Sequence, residues 1–580
     1  MFNAYSLPTL VCNQAAIEKL DAEIRSLTTR LCLLKSERNN LSITYILPAE
    51  ILGEIFTIVQ EQCGYDHDRG SSRKGGFARC TWLSMTCVSR HWREVALGCP
   101  QLWCNIRSSA MPLPIIQTFL ARSRGANISV NFTTPWSPVG PESPYYQQLQ
   151  PCGVEDILAE AFRIEKLDFS LQDSHFAEML PQLISTPVPK LRSLYICSPG
   201  YRTIPDDIFQ ATAPQLRSLS LVQCRFNLNS PFLTPNLTSL YISFCPAGST
   251  ILWLNALQQT PQLSYLNLTS SFTDETYTPI SKGFGMVPLL QLSRLVIEGS
   301  LFDSDLDFLS HITFHSQTSL NFTSNIRESQ IQRPTPPLAA LLQVHGKAYC
   351  DHDTSETKVT TIKLEQRGDE GQLRNIQLDA HTGDQPYLVA YIDIAGPCPA
   401  WNEAPMDDIA LLPISLLNLF VADCDVKEES WKVLSDRAPH LQEISVSHLA
   451  VQPFLLALGA GDIDTLDPNG EWRGLSSYLG GMEAEGQGLK GVEDNLFGPT
   501  HRLFKSLKTI DLADPEPLQF KEDIMNALSV RRLTGLPVET VRLSRWAHVD
   551  EEFWFDLKGL VREVDYTRPA TPSPDLGFAY

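Results

Sequence analysis

The stretch PKLRSLYI (residues 189–196) recurs three more times before residue 270. Its echoes are PQLRSLSL (214–221), PNLTSLYI (235–242) and PQLSYLNL (261–268). The central leucines, Leu194, Leu219, Leu240 and Leu266, are 25, 21 and 26 residues apart. A fixed period of this length indicates a repeated unit that buries its apolar face only by stacking on its neighbours.

The shared pattern L-x-x-L-x-L is that of leucine-rich repeats, in which each copy gives a short strand and a return helix or turn. Less regular copies follow the same pattern, at residues 164–169, 292–297, 416–421, 441–446, 507–512 and 538–543. The sequence therefore predicts an α/β fold: a curved solenoid with a parallel sheet over 161–457, irregular at 326–410, and terminal repeats over 501–563.

Three cysteines stand where the repeat pattern places asparagine or cysteine, three positions after the second strand leucine. They are Cys224, Cys245 and Cys424. In that family such side chains lie inside the turn and bond backbone groups, so these cysteines are expected to be structural rather than reactive or metal-binding.

Side chains that alternate with the strand leucines are expected on the exposed face of the sheet. The predicted target-binding positions there are Tyr195, Ser220, Tyr241 and Asn267. Aromatic residues are enriched where partners bind, so the two tyrosines are the candidate anchors. The alternative is that these side chains only cover a surface that binds nothing. The chemistry of this face is too mixed to name the target.

A second ordered set of motifs lies nearer the N-terminus. LPAEILGEIF (47–56) is an amphipathic helix opened by a proline, followed by WLSMTCVSRHWREVAL (82–97) and CPQLW (99–103). Proline suits a first helical turn, because its missing N–H would be unpaired there. Residues 60–80 are polar and contain glycines, which predicts a loop insertion.

This ordered set resembles the F-box and closely resembles the F-box-like domain proteins of mushroom-forming fungi. The resemblance implies an F-box-like domain over 46–105 that docks onto a Skp1-like adaptor and, through it, a cullin. Its implied adaptor-binding residues are Leu47, Pro48, Ile51, Leu52, Ile55 and Phe56. Trp92 is expected to pack inside the module. The insertion at 60–80 departs from the short connection of many F-boxes, which leaves the spacing of the adaptor-binding helices open.

Residues 17–41, within an N-terminal helix assigned to 1–45, follow alternating three- and four-residue apolar steps. The positions are Ile17, Leu20, Ile24, Leu27, Leu31, Leu34 and Leu41, and Arg38 is the exception. This spacing is typical of a coiled-coil seam. Self-association as a homodimer and docking of the helix on its own chain both fit the pattern.

The remaining segments carry weaker signals. Residues 106–160 are a connecting region or degenerate first repeats, 458–500 form an acidic, glycine-rich loop, and 564–580 form a disordered tail. Five residues invite a zinc hypothesis: Cys80, Cys87, His91, Cys99 and Cys104. Their spacing lacks close ligand pairs, so buried thiols are expected and no metal or cofactor is assigned.

Composition narrows the class of protein. The 580 residues carry 46 basic and 66 acidic side chains, a formal charge of −20. This balance argues against a binder of duplex nucleic acid or of an anionic membrane. The scattered cysteines and the lack of a signal segment favour the cytosol or nucleus. No local catalytic motif is present, so no enzyme activity is expected.

Two functions follow as expectations. The first is the substrate-recognition subunit of an SCF-type ubiquitin ligase, with the repeats recruiting a protein target. The alternative is a leucine-rich-repeat interaction scaffold outside any ligase, which self-associates through its N-terminal helix.

Overall fold

A computed structural model describes residues 7–65, 81–132, 153–326, 337–347, 359–394, 414–459 and 503–567. Short gaps fall inside these ranges, at 109–110, 171–172, 199, 212, 274–279, 281–283, 300–301, 316, 370–371, 383–384, 423, 425, 514–519, 547–548 and 550. The chain divides into two compact units, Met1–Leu216 and Arg217–Tyr580. No helix among the described residues is long and apolar enough to cross a membrane.

The first unit begins with helices. They are α1 (Leu7–Asn40), α2 (Ala49–Tyr65), α3 (Arg90–Gly98), α4 (Leu113–Ser123), α5 (Val154–Ala159) and α6 (Asp173–Ser185). In the part of the chain that the structure describes, the seven apolar seam residues at 17–41 are exposed, between 46% (Leu34) and 88% (Leu41) of their surface.

Four parallel strands complete the first unit: β1 (Asn105–Arg107), β2 (Ile128–Asn131), β3 (Ile164–Ser170) and β4 (Ser193–Cys197). Strands β1 and β2 lie within 106–160 or at its edge. Strand β1 pairs with β2, and β2 pairs with β3 with a register shift between Ile128 and Ser129. A connecting region and degenerate first repeats both stay predictions for residues 106–160.

The strands of the second unit pair in one continuous order, β5-β6-β7-β9-β11-β14-β13-β12-β15-β16-β17-β18-β19. Their bounds are β5 Ser218–Val222, β6 Ser239–Ser243, β7 Tyr265–Thr269, β9 Arg294–Gly299, β11 Ser319–Ile326, β12 Val359–Asp369, β13 Gln372–Thr382, β14 Gln385–Ile394, β15 Ile414–Ala422, β16 Glu443–Ser447, β17 Thr509–Ala513, β18 Thr540–Ser544 and β19 Glu563–Thr567. A separate short pair joins β8 (Val287–Pro288) to β10 (Ile312–Thr313). The α/β class and the large parallel sheet of leucine-rich-repeat type are confirmed.

The irregular region at 326–410 contains an antiparallel excursion. Strand β13 runs antiparallel to both β12 and β14, whereas β14 pairs parallel with β11 and β12 pairs parallel with β15. Only two residues separate β12 from β13, and two separate β13 from β14. Connections this short allow hairpins but not parallel crossovers, so the three strands extend the sheet without being full repeats.

Helices on the second unit follow several of the strands. They are α7 (Thr250–Leu257), α8 (Phe302–Ser310), α9 (Pro337–Lys347), α10 (Glu428–Arg437), α11 (Val451–Ala457), α12 (Lys521–Leu533) and α13 (Glu551–Leu560). The repeat leucines supply the core, because Leu219, Leu240 and Leu266 are each at most 1% exposed.

The residue after several repeat strands adopts a left-handed backbone. Gln223, Phe244, Ser270 and Arg545 have φ between 47° and 62°. Each donates its N–H to a carbonyl at the end of the next strand in the sheet; Phe244, for example, bonds the Thr269 carbonyl at 2.8 Å. The strained φ is therefore used to continue the inter-repeat hydrogen bonding beyond the strand itself.

The cysteines at the repeat turn position are buried, as predicted. The Cys245 sulfur accepts the Cys224 N–H at 3.3 Å and donates to the Ser243 carbonyl at the same distance. The Cys424 thiol donates to the Ala422 carbonyl at 3.1 Å. A hydrogen bond with the Cys224 side chain is the largest cause that lowers the pKa of the Cys245 thiol, against the opposing effect of burial.

Two predicted boundaries are wrong. Helix α2 continues to Tyr65, because Gln60, Glu61 and Gln62 are good helix formers, so the loop does not start at residue 60. Strand β19 reaches Thr567 through its pairing with β18, past the predicted start of the tail at 564. Residues 66–80, 568–580 and most of the 458–500 loop lie outside the described residues.

Candidate functional site

Helix α2 is apolar on two sides, and its inner side is the core of the small N-terminal module. Leu52 is 1% exposed, Phe56 is 0% exposed, and the Phe56 ring lies 5.1 Å from the Trp92 ring. The Gln60 amide donates to the Leu102 carbonyl at 2.8 Å, which fixes the next turn of the helix. The prediction that Trp92 packs inside the module agrees with this contact.

The rest of the module fixes the position of α2. The Ser89 hydroxyl accepts the Trp92 N–H at 3.1 Å and caps α3. The Trp103 indole donates to the Ala96 carbonyl at 2.9 Å, and its ring lies 5.3 Å from that of Trp82. The Arg122 guanidinium lies 4.4 Å from the Trp103 ring centroid. This aromatic cluster forms a rigid base for the helix.

The outer side of α2 faces solvent and is also apolar. Ile51, Ile55 and Ile58 are 44%, 39% and 53% exposed, at positions i, i+4 and i+7 of one helix face. Pro48 is exposed and Leu47 half-buried at the start of the helix. Three exposed isoleucines on one face are unusual for a surface that contacts only water. We call Leu47, Pro48, Ile51, Ile55 and Ile58 the outer face of α2.

The six predicted adaptor-binding residues therefore fall into an exposed group and a buried group. Leu47, Pro48, Ile51 and Ile55 lie on the outer face, but Leu52 and Phe56 do not. The assignment of Leu52 and Phe56 to a binding surface is wrong for this conformation, because both side chains are buried in the core of the module.

Sequence reasoning missed three exposed apolar residues in the module: Ile46 (77% exposed), Ile58 (53%) and Val88 (56%). Helical spacing could have identified Ile58, because it stands seven residues after Ile51 on the same face of the helix. Ile46 and Val88 flank helices instead of lying within them, so helical spacing could not identify either.

Four of the five residues weighed for a zinc site, Cys87, His91, Cys99 and Cys104, lie in the described part of the chain. Among the described residues there is no group of three metal-ligating side chains. The expectation of buried thiols is wrong for Cys87, which is exposed, while Cys99 and Cys104 are half-buried. Burial raises the pKa of the Cys104 thiol, so that thiol is a poor nucleophile. Cys80 lies outside the described residues.

The second candidate surface is the outward face of the sheet in the second unit. One row of side chains crosses the paired strands: Ser220, Tyr241, Asn267, Val296, Asn321, Val389, Asp379, Lys363, Phe420, Ser445, Asp511, Arg542 and Asp565. We call this set the cross-strand row. Every step in it is a direct Cα partnership, so the row is continuous along the sheet, but Asn267 and Val296 within it are buried, each 8% exposed.

Three of the four predicted target-binding residues stand side by side at one end of the row. Tyr241 lies between Ser220 and Asn267. Asn267 is only 8% exposed, and its side-chain oxygen accepts the Thr269 hydroxyl at 3.0 Å. Its assignment as a contact residue is therefore wrong for this conformation, because the side chain is covered and held by its neighbours.

Tyr195, the fourth predicted residue, lies in the first unit on β4. Its Cα partner across the sheet is Asp168, whose carboxylate accepts the Asn131 amide at 2.7 Å. Tyr195 and Asp168 are half-buried outward positions. The structure thus keeps Tyr195 on an outward sheet face, but describes it in a different unit from the other three.

Sequence reasoning missed two aromatic residues on the outward face. Phe420 stands in the cross-strand row, and Tyr391, 39% exposed, stands in the row beside it. Tyr391 belongs to the irregular region at 326–410, where the repeat register could not be extended from the proline-led copies. Phe420 lies in the copy at 416–421, so the alternation of that copy could have identified it as an outward residue.

Carboxylates dominate the far end of the row. Asp511 accepts hydroxyls from Ser445 at 2.9 Å and from Ser544 at 2.6 Å. Arg542 forms an ion pair with Glu443 and lies 3.8 Å from an oxygen of Asp565. The arginine is therefore neutralised by its neighbours, and what remains presented is polar and acidic.

No protein-family profile matches the chain, and no curated protein matches it. Among solved structures, the crystal structure of the Rad7 and Elc1 complex in yeast is similar at 12% identity with a TM-score of 0.23, over 77% of this chain and 94% of that one. A likeness at this TM-score carries no argument. The leucine-rich-repeat architecture rests on the strand pairing itself.

Proposed function

We propose that this protein is the substrate-recognition subunit of an SCF-type ubiquitin ligase. In this proposal the outer face of α2 binds a Skp1-like adaptor, which connects the chain to a cullin. The outward face of the repeats holds a protein target. The chain itself catalyses no step and needs no cofactor, and it works in the cytosol or nucleus.

The observation that carries the proposal is the division of α2 into two apolar faces. The inner face is already satisfied by Trp92 and its neighbours, so the exposed isoleucines are not required to fold the module. Burying one such side chain in a partner contributes about 1.5–3 kcal/mol before the cost of association. The ordered F-box-like motifs in this module supply the identity of the partner.

The mechanism that follows is proximity. A target held on the repeats is kept close to a ubiquitin-conjugating enzyme that the partners bring, and its effective concentration rises. The repeat face offers Tyr241, Tyr391 and Phe420 as aromatic anchors. Its acidic far end favours a target with basic side chains.

The test is a pulldown of the tagged full chain from cells, followed by detection of the adaptor and cullin. A variant with Ile51→Glu, Ile55→Glu and Ile58→Glu is expected to lose both. The matched control is Leu449→Glu with Phe555→Glu, which charges two exposed apolar residues of the second unit (65% and 69% exposed) and is expected to keep both. A wild-type chain that captures neither partner would refute the proposal.

A second candidate function rests on a separate observation. The apolar seam of α1 is exposed in the described part of the chain, which favours an interaction scaffold that self-associates through residues 17–41. This candidate requires a dimer but no adaptor. Loss of the dimer in a seam variant, with adaptor capture unchanged, would show that the two activities are separate.

A further inference from the structure

We propose that α1 pairs with α1 of a second copy of this chain in antiparallel orientation, with the two-fold axis between residues 25 and 26. This inference extends the self-association of the second candidate function and does not depend on adaptor binding. It rests on the heptad positions of α1 and on the charges that flank the exposed seam.

The seam of α1 matches a second copy of the same helix. The seam runs along a and d positions of a heptad: Ile17, Ile24, Leu31 and Arg38 at a, and Leu20, Leu27, Leu34 and Leu41 at d. A strict seven-residue stripe matches a partner helix of the same period, whereas a globular surface favours a wider stripe of period 3.6. A second copy of α1 supplies that period, and every described side chain from residue 17 to 35 is exposed and available to it.

The parallel arrangement brings like charges together. In a parallel pair, each g residue faces the e residue five positions later on the partner. Arg30 would then face Lys35 of the second copy, twice by symmetry. Arg38 would meet its own copy in a buried a layer, where two guanidinium groups repel each other and lose water. No opposite-charge g–e pair in residues 16–41 offsets the repulsion between Arg30 and Lys35 or between the two copies of Arg38.

The antiparallel arrangement removes both conflicts. With the axis between residues 25 and 26, each a residue faces a d residue, so that Ile24 faces Leu27, Leu20 faces Leu31 and Ile17 faces Leu34 of the second copy. All six of these central layers are apolar. The flanking g residues then meet as Glu23 with Arg30 of the second copy, again twice, which gives two opposite-charge pairs.

Arg38 also leaves the apolar layers in this register. Its level corresponds to position 13 of the second copy, where the sequence has asparagine, and Leu41 corresponds to position 10, where the sequence has leucine. Sliding the second copy by one heptad, which moves the axis to residue 29, would instead oppose Glu23 to Glu37 and Arg30 to itself. Sliding it by two heptads would pair Arg30 with Glu37 but would place Arg38 opposite Leu27 in the buried layers, twice by symmetry. Charge pairing and burial of Arg38 together therefore favour one register as well as one direction.

Single charge reversals distinguish the antiparallel from the parallel dimer, because they change the dimer Kd in opposite directions in the two arrangements. Arg30→Glu places a glutamate opposite Glu23 in the antiparallel pair and should raise the dimer Kd about fivefold or more at low salt. In a parallel pair the same substitution creates an attraction to Lys35 and lowers the Kd. Sedimentation equilibrium of the full chain measures this difference.

A mixing experiment completes the test. Glu23→Arg alone should also weaken the dimer, because it opposes Arg30, and an equimolar mixture of the two single variants should restore wild-type affinity as a heterodimer. The double variant Glu23→Arg with Arg30→Glu should recover as well. Tighter association of Arg30→Glu, or no recovery on mixing, would overturn the antiparallel direction.

A control tests whether the dimer contact lies on the seam of α1. Leu20→Lys with Leu27→Lys should make the full chain monomeric, while the Ile51→Glu, Ile55→Glu and Ile58→Glu variant should remain dimeric. A wild-type chain that stays monomeric at tens of micromolar, or a dimer that survives both lysines, would overturn self-association through α1. Neither result would bear on capture of the adaptor.

Discussion

The Phe56 ring lies 5.1 Å from the Trp92 ring, and this contact joins α2 to α3. Phe56 has no exposed surface, whereas Ile55, its neighbour in sequence, is 39% exposed. Adjacent residues of one helix thus have different tasks: one holds the module together, and the other is available to a partner.

The first prediction follows from this difference. Phe56→Ala should lower the free energy of unfolding by about 3–5 kcal/mol, since it empties a fully buried site. Ile55→Ala should change it by less than about 1 kcal/mol, because the side chain is partly in water already. Urea unfolding followed by tryptophan fluorescence compares the two. Equal losses would show that the two faces of α2 are not distinct.

A second prediction concerns Arg163, which is buried and ties helix α4 to the start of β3. Its guanidinium donates to the carbonyls of Leu120 (3.1 Å) and Ala126 (2.9 Å) and to the Ser123 hydroxyl (2.9 Å). Arg163→Met should cost about 3 kcal/mol, because these acceptors lose a charged donor without regaining water.

The control for Arg163 is Arg192→Met. Arg192 pairs with Glu165 at 3.0 Å, but its side chain is half exposed, and such pairs contribute about 1 kcal/mol or less. Thermal unfolding of both variants gives the comparison. A cost at Arg192 as large as that at Arg163 would contradict a structural role for the buried arginine.

A third prediction is a pH dependence centred on Asp305. Full burial raises the pKa of this carboxyl to about 7, against an opposing hydrogen bond from the Ser324 hydroxyl at 3.1 Å. The unfolded chain releases this proton near pH 4, but the folded chain keeps it until about pH 7. The contribution of Asp305 to stability is therefore complete below pH 4 and is lost as the pH rises to 7, by at most about 1.4 kcal/mol per pH unit.

The measurement compares wild type with Asp305→Asn in urea at pH 5, 6, 7 and 8. The asparagine does not ionise, so the stability of the variant relative to wild type should increase from pH 5 to 7 and then level off. Other titrating groups cancel in this difference. Parallel pH profiles for the two proteins would show that Asp305 is not a buried acid with a raised pKa.

A fourth prediction concerns the glycine beside this carboxyl. A Cβ at Gly299 would lie against both Asp305 carboxylate oxygens, so Gly299→Ala should destabilise the fold by about 1–3 kcal/mol. Gly559, in α13, has open space around the same position, and Gly559→Ala should stabilise by up to about 1 kcal/mol.

A double variant tests the cause of the Gly299 effect. In an Asp305→Ala background the carboxylate is absent, so Gly299→Ala should cost less than it does in wild type. Strictly additive losses in chemical denaturation would assign the effect to the backbone instead of to the contact with Asp305.

Much of the fold could be predicted from the sequence because each repeat copy carries the same L-x-x-L-x-L pattern. Leu194 and Ile196 alternate with outward residues, so burial and strand direction followed from the period. The antiparallel β13 could not be predicted in this way. Its alternation of apolar and polar residues is the same in a parallel and an antiparallel strand, and only the short connections on either side distinguish them.

The candidate site could be predicted less completely. The outer face of α2 and the core position of Phe56 lie on the same short helix, and both are apolar. A sequence shows that a helix is apolar on more than one side, but it does not show which side its own module covers. The packing of Trp92 on Phe56 settles that point here.

The most direct test of the central claim is the affinity of the purified full chain for a purified Skp1-like adaptor. Isothermal titration calorimetry should give a Kd in the micromolar range or tighter for wild type. Ile55→Glu should weaken binding at least tenfold while leaving the unfolding transition in place. No heat of binding at tens of micromolar adaptor, from a chain shown to be folded, would contradict the assignment of α2 as the adaptor surface.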